Sequence, residues 1–153
     1  MVISLPSQLF ASQHRAIDTE IHAILDGTGT ASALAPSLAA LRLHLYAEEQ
    51  ILFPALAKTS AVMAIIAMKR EHGQMWPPME TLSAACMSAS PVAALHDTCS
   101  ELFQLLQIHN PKEEKIIYTA ADRLVAARHD TALVQALQAA KLPDGWICEK
   151  APR

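Results

Sequence analysis

The chain has 153 residues, 52% of them hydrophobic, and this length supports one domain with its own core. The net charge is −3 and the Lys and Arg residues are scattered, so no basic stripe indicates a nucleic-acid partner. The longest apolar run, residues 61–68, is far too short to cross a bilayer, which argues against a membrane protein.

The first two predicted helices each combine apolar residues with histidine on one face. Four glycines against many Ala, Leu, Met, Gln and Glu favour helices over strands, so we predict an all-α fold. Helix one covers about residues 7–25, and its inward stripe is Phe10, His14, Ile17, Ile21 and Leu25. Helix two covers about residues 36–58, and its inward stripe is Leu41, His44, Glu48, Ile51 and Ala55.

The next segments continue this pattern. Helix three covers about residues 60–87, with an inward stripe of Ile65, Met68, His72, Met75 or Trp76, and Met79. Helix four covers about residues 92–127, with an inward stripe of Leu102, Leu105, Leu106, His109, Glu113, Ile116 and Ala120. A short fifth helix is predicted at 131–140, followed by an irregular tail that Trp146 attaches to the bundle.

Four amphipathic helices with short connections predict an up-down-up-down four-helix bundle. We assign the bundle to residues 1–140 and the tail to residues 141–153. Pro54, the Pro77-Pro78 pair and Pro111 fall inside predicted helices, and each is expected to kink or locally break its helix. The amino-terminal residues 1–8 have neither a charged lead nor a long apolar block, so we predict no signal peptide and a cytoplasmic location.

Six polar residues interrupt the inward stripes, and burying them requires compensation. They are His14, His44, Glu48, His72, His109 and Glu113. The motifs His44-x-x-x-Glu48-Glu49 and His109-x-x-x-Glu113-Glu114 have the same form, and the four-residue spacing puts each His and first Glu on one face. One inward histidine is usually a hydrogen-bonded core residue, but this doubled motif with two further histidines predicts a metal site.

The donor types indicate the metal. Four imidazoles and two carboxylates without thiolate suit iron better than calcium or magnesium, and a structural zinc ion needs only four ligands. Six ligands therefore predict two iron ions, with Glu48 and Glu113 as bridges and two histidines on each ion. Positions would remain for a bridging oxygen and for a small external ligand.

Three stretches carry a family resemblance: His44-Leu-Tyr-Ala-Glu-Glu-Gln-Ile-Leu-Phe-Pro, Arg70-Glu-His72 and His109-Asn-Pro-Lys-Glu-Glu-Lys-Ile-Ile-Tyr. With His14, they make residues 7–127 resemble the hemerythrin-like, His-His-Glu cation-binding family. The resemblance implies a non-haem di-iron centre, oxo- or hydroxo-bridged, that in some members binds dioxygen and in others handles nitric oxide, peroxide or iron. Trp76 stands where oxygen carriers have a further histidine, which favours redox chemistry or sensing over oxygen carriage.

Three functions remain open. The first is a di-iron protein that binds or senses dioxygen or nitric oxide, and the sequence favours this function. The second is a di-iron redox enzyme acting on peroxide or nitric oxide. The third is an iron store or a structural metal site. Whether the chain is an enzyme, and whether it forms a homodimer, is left open by the sequence.

Several other residues are expected to have structural roles. Glu49 and Glu114 should be solvated or ion-paired rather than ligands. Tyr46 and Tyr118 are expected off the ligand face, sealing helix interfaces, and no role is predicted for His22, His96 or His129. The widely spaced Cys86, Cys99 and Cys148 contain no Cys-x-x-Cys pair and are predicted to be free thiols.

Overall fold

A computed structural model describes residues 4–153 of the chain. Residues 1–3 belong to the amino-terminal stretch for which we predict no signal peptide, and they lie outside the described residues. Within residues 4–153 all regular secondary structure is helical, which confirms the all-α prediction.

Four long helices are followed by a short one. In chain order they are α1 (Pro6–Asp26), α2 (Ala31–Ala47 continued by Glu48–Leu52 and Phe53–Leu56), α3 (Val62–Met87), α4 (Val92–Lys112 continued by Glu113–Ile117 and Tyr118–Arg128) and α5 (Thr131–Gln138).

Local sequence explains where α1 ends and α2 begins. Gly27 has a φ of 82° and closes α1, because glycine adopts the left-handed conformation without steric cost. The hydroxyl oxygen of Thr30 accepts a hydrogen bond from the Ala33 N–H and caps α2. The helix therefore begins five residues before the predicted start at Pro36, which lies inside it.

The long helices pack as a closed ring. α1 contacts α2 and α4, and α3 also contacts α2 and α4. Each helix turns its apolar face to the shared interior, where buried side chains form two clusters, one around Leu38 and Leu102 and the other around Leu52 and Ile117. The ring agrees with a hemerythrin-like helical bundle, and its up-down-up-down order stays a prediction.

Both α2 and α4 contain one wide, π-helical turn that begins at the glutamate of the motif. The Phe53 N–H donates to the Glu48 carbonyl oxygen, and the Tyr118 N–H donates to the Glu113 carbonyl oxygen, so each bond spans five residues instead of four. Such a turn adds one residue to the helix. Every residue after it therefore shifts by one position around the helix.

This shift corrects the predicted stripes of α2 and α4. Leu25 in α1 and Leu105 in α4 were predicted to face inward and are half-buried. Beyond the two glutamates, the residues predicted to face inward but found exposed or half-buried are Ile51, Ala55, Ile116 and Ala120. The next residue in the chain is buried in each case: Leu52, Leu56, Ile117 and Ala121. The stripes were predicted from the regular period of 3.6 residues per turn, which does not allow for an inserted residue. They were therefore wrong beyond Glu48 and Glu113.

The prolines act differently from one another. Pro54 and Pro111 lie within two residues of a π-helical turn, where the regular hydrogen-bond pattern already changes. α3 runs through Pro77 and Pro78 without interruption, so no break occurs there. Among residues 4–153 no helix combines the length and apolar character needed to cross a membrane.

Candidate metal centre

The six predicted site residues meet in the middle of the helix ring, between the two apolar clusters. All six are buried, and Glu48, His72 and Glu113 have no exposed surface. Five of them, all except Glu48, form two overlapping groups of donor atoms, in each of which all atoms lie within 4.8 Å of one another. One group is His14, His44 and Glu113, and the other is His72, His109 and Glu113.

The two carboxylates lie between the two histidine pairs. Glu113 Oε1 lies 3.3 Å from His14 Nε2 and 2.9 Å from His109 Nε2. Glu48 Oε1 lies 3.0 Å from His44 Nε2 and 3.7 Å from His72 Nε2. Each carboxylate therefore contacts imidazoles of both pairs.

The other ring nitrogen of each histidine is held by a neighbouring side chain. His72 Nδ1 is 2.8 Å from Glu49 Oε1, and His14 Nδ1 is 3.1 Å from Glu114 Oε1. The two remaining pairs are His44 Nδ1 with Gln13 Oε1 at 2.7 Å and His109 Nδ1 with Glu71 Oε2 at 3.4 Å. Oxygen acceptors at Nδ1 favour a proton there, so the neutral form of each imidazole directs its Nε2 lone pair inward. Metal-binding histidines are oriented in this way.

Several inward atoms lack partners although they are crowded together. Among the described residues, Glu48 Oε1, Glu113 Oε2, His72 Nε2 and His109 Nε2 are buried without a hydrogen-bond partner. His109 Nε2 is close to Glu113 Oε1 but lacks hydrogen-bonding geometry. Buried polar atoms normally find partners, and unsatisfied ones are costly. Buried carboxylate and imidazole atoms that converge without hydrogen-bond partners fit a bound cation.

Burial and mutual charge shift the pKa values in this site. Burial and the adjacent Glu113 carboxylate raise the pKa of Glu48 well above its ordinary value. Burial and the nearby His14 lower the pKa of His44 well below its ordinary value. Burial alone would lower the pKa of His109, but Glu113 and Glu71 outweigh it and raise that pKa to about 9.

A sequence profile described as the hemerythrin HHE cation-binding domain matches residues 5–121. The match covers more than half of the chain. The chain belongs to the hemerythrin HHE family. No curated protein and no solved structure gives a significant match.

This hemerythrin HHE domain is a cation-binding fold, and the two histidine and glutamate groups described above can hold a metal. The family match runs from the start of α1 into the last segment of α4. It therefore contains every predicted site residue, while α5 and the tail lie beyond it.

One residue of the centre contradicts its predicted place. Tyr118, expected off the ligand face, is fully buried, and its hydroxyl oxygen lies among the site residues. In an α-helix a residue five positions further along the chain lies about 140° around the axis. The π-helical turn gives Tyr118 the orientation normally held by a residue four positions after Glu113, so the two share a face.

The neighbouring residues agree more closely with expectation. Glu49 and Glu114 pair with imidazoles, although Glu49 is buried and not solvated. Trp76 is buried, and its indole N–H donates to Glu80 Oε1 at 2.9 Å, away from the centre. Cys86, Cys99 and Cys148 are free thiols in the described chain, as predicted.

Proposed function

We propose that this chain is a non-haem di-iron protein that binds or senses dioxygen or nitric oxide at an open iron position. His14 and His44 would hold one ion and His72 and His109 the other, with Glu48 and Glu113 shared between them. The convergence of unpartnered inward donor atoms carries this proposal.

The donor set supports iron as the metal. Four imidazoles and two carboxylates suit divalent iron, whereas calcium and magnesium prefer sites dominated by oxygen. Two shared carboxylates let six side chains serve two ions and leave coordination positions vacant. Bound iron would supply those open positions and a reversible change of oxidation state.

The surroundings of the centre support a small, uncharged ligand. The site residues are almost completely shielded from solvent by the four helices. The aromatic ring of Phe10 packs edge-on against His44 at 5.0 Å, and Phe53 stacks on His72 at 5.8 Å. A larger or charged substrate would have to open the ring and lose its hydration. A neutral diatomic molecule can enter through small fluctuations of packed side chains.

We propose further that the bundle domain extends to residue 140. α5 packs on α1 and on the Glu48–Leu52 turn of α2, and Leu133, Val134 and Leu137 join the apolar cluster around Leu52. Because α5 covers the helix that carries Glu48, it belongs to the same folding unit.

Metal analysis tests the proposed centre. Protein loaded with ferrous iron without oxygen should bind two irons per chain, and Mössbauer spectra after oxidation should show coupled ferric ions. His109→Ala should fall from two to about one tightly bound iron, because it removes one of only two imidazoles on its ion. His96→Ala is the matched control, since His96 is exposed and its ring pairs with Asp97 and not with a site residue. Wild-type protein that prefers zinc or binds no metal would contradict the proposal.

Ligand binding separates this function from a store or a structural site. Adding nitric oxide to the reduced protein, or azide to the oxidised protein, should change the visible absorption of the iron. Reduced protein that binds oxygen reversibly would be a carrier, whereas irreversible oxidation on the first exposure would exclude the carrier function. Iron that responds to none of these small molecules would leave only a structural or storage role.

A further inference from the structure

The metal centre consists of two halves of similar design. One contains His14 with the His44 and Glu48 motif, and the other contains His72 with the His109 and Glu113 motif. Each glutamate starts a π-helical turn, and each turn is followed by an aromatic residue five positions after the glutamate. That residue is Phe53 in α2 and Tyr118 in α4. The two positions differ by a single hydroxyl group.

The Tyr118 hydroxyl oxygen lies at the centre of one histidine pair. Its distances are 3.0 Å to His14 Nε2 and 3.3 Å to His44 Nε2. It also lies 3.0 Å from Glu48 Oε2 and 3.2 Å from Glu113 Oε1. The two Nε2 atoms themselves are 3.0 Å apart. Five donor atoms therefore surround one small volume.

Hydrogen bonds alone do not account for this cluster. The Nδ1 atoms of His14 and His44 face oxygen acceptors, so both Nε2 atoms present lone pairs. A hydroxyl group has one proton, which can be donated to one of its four neighbours at a time. The 3.0 Å approach of the two Nε2 atoms still brings lone pairs together in a buried place. A cation shared by these atoms would turn each approach into an attraction.

The other histidine pair has no equivalent oxygen. Phe53 presents a ring that stacks on His72, and the Nε2 atoms of His72 and His109 lack hydrogen-bond partners within the described chain. Donor atoms are thus crowded together on the side of His14 and His44, whereas the Nε2 atoms of His72 and His109 have no partner. The difference follows directly from tyrosine in one turn and phenylalanine in the other.

We propose that the Tyr118 oxygen is a ligand of the iron held by His14 and His44. The two irons are then unequal, and the vacant position for an external ligand is on the iron held by His72 and His109. This inference rests on the proposed di-iron function. It assigns the side of the centre on which dioxygen or nitric oxide binds.

Spectroscopy of oxidised, iron-loaded protein tests the assignment. A tyrosine oxygen on ferric iron gives visible charge-transfer absorption, and resonance Raman excitation in that band enhances tyrosinate ring vibrations. Wild-type protein should show both signals, and Mössbauer spectra should contain two distinct iron environments. Tyr118→Phe should lose both signals and bring the two environments closer together while keeping two irons per chain.

Two controls distinguish the possible failures. Tyr46→Phe removes the chain's other tyrosine, which packs against Trp146, and should leave the tyrosinate signals unchanged. Circular dichroism should show that each variant is folded. Two bound irons without tyrosinate signals, or signals that persist in Tyr118→Phe, would overturn this inference and leave the di-iron function standing. Protein without bound iron would overturn both.

Discussion

Each site histidine is fixed by a partner on its outer nitrogen, and these partners differ in exposure. Glu49 is buried, and its second oxygen accepts a hydrogen bond from the Glu149 N–H at 3.0 Å. Glu114 pairs with the outer nitrogen of His14 in the same way, but 43% of its side chain is exposed. Solvent can replace a lost partner at Glu114 more easily than at Glu49.

This contrast gives a paired prediction. Glu49→Ala should weaken iron binding by about 10–100-fold, because the His72 ring loses its orienting acceptor in a dry environment. Glu114→Ala should have a clearly smaller effect, since water can accept from His14. Competition with a chromophoric chelator measures both affinities. Equal losses in the two variants would mean that exposure does not govern the contribution of these residues.

The cysteines provide a second prediction at this scale. Burial is the main cause that raises the pKa of Cys99 to about 11 and of Cys148 to about 12. At pH 8, below both values, each thiol remains almost entirely protonated and therefore unreactive. Iodoacetamide should modify the partly exposed Cys86 first, with Cys99 and Cys148 reacting far more slowly, as peptide mass spectrometry would show. Raising the pH from 8 to 9 should speed the slow reactions, because the thiolate fraction increases about tenfold.

At the scale of helices, the spacing of apolar residues predicted the helices correctly but did not predict the π-helical turns in α2 and α4. The stripes of α1 and α3 were placed almost correctly, with Phe10, Ile21, Met68 and Met79 all buried. In α2 and α4 the stripe was correct only up to the glutamate. The π-helical turns lie where α2 and α4 pack around the buried Glu48 and Glu113, and such tertiary packing leaves no periodic signal in the sequence.

The difference between regular helix and π-helical turn also explains which residues of the metal centre the sequence predicted correctly. His44 and Glu48 could be placed together because four-residue spacing defines a shared face within regular helix. Tyr118 was misplaced because its position depends on the added residue between it and Glu113. The orienting roles of Gln13 and Glu71 were missed because each acts on a histidine of another helix.

Deleting one residue from the wide turn tests this account. Lys115 is exposed within Glu113–Ile117, and its removal should convert the turn to regular α-helix while Tyr118 keeps its inward face. The fold should survive, with the melting temperature lowered by less than about 10 °C. Deleting the exposed Gln104 from the α-helical part should rotate all later residues by about 100° and prevent folding. Circular dichroism melting curves compare the two, and equal loss would contradict the inserted-residue interpretation.

At the scale of the whole molecule, the carboxy-terminal tail packs on the bundle and contacts a residue that orients a site histidine. Trp146 packs edge-on against Tyr46 and Trp76, which confirms the predicted attachment of the tail to the bundle. Beyond it Cys148 is buried, and the Glu149 N–H binds Glu49. The tail thus supports His72 through one intermediate carboxylate.

A substitution at Gly73 tests whether the carboxy-terminal tail packs against α3. It follows His72 in α3, and a Cβ there would overlap the backbone of Lys150. In a helix interior, replacing Gly by Ala normally stabilises by about 1 kcal/mol. Gly73→Ala should do the reverse and lower the melting temperature by about 4–8 °C, because the tail must move away. It should also weaken iron binding, since Glu49 loses the Glu149 N–H, whereas Gln74→Ala on the exposed side should change neither. A Gly73→Ala variant that melts higher and binds iron normally would show that the tail is not held against α3.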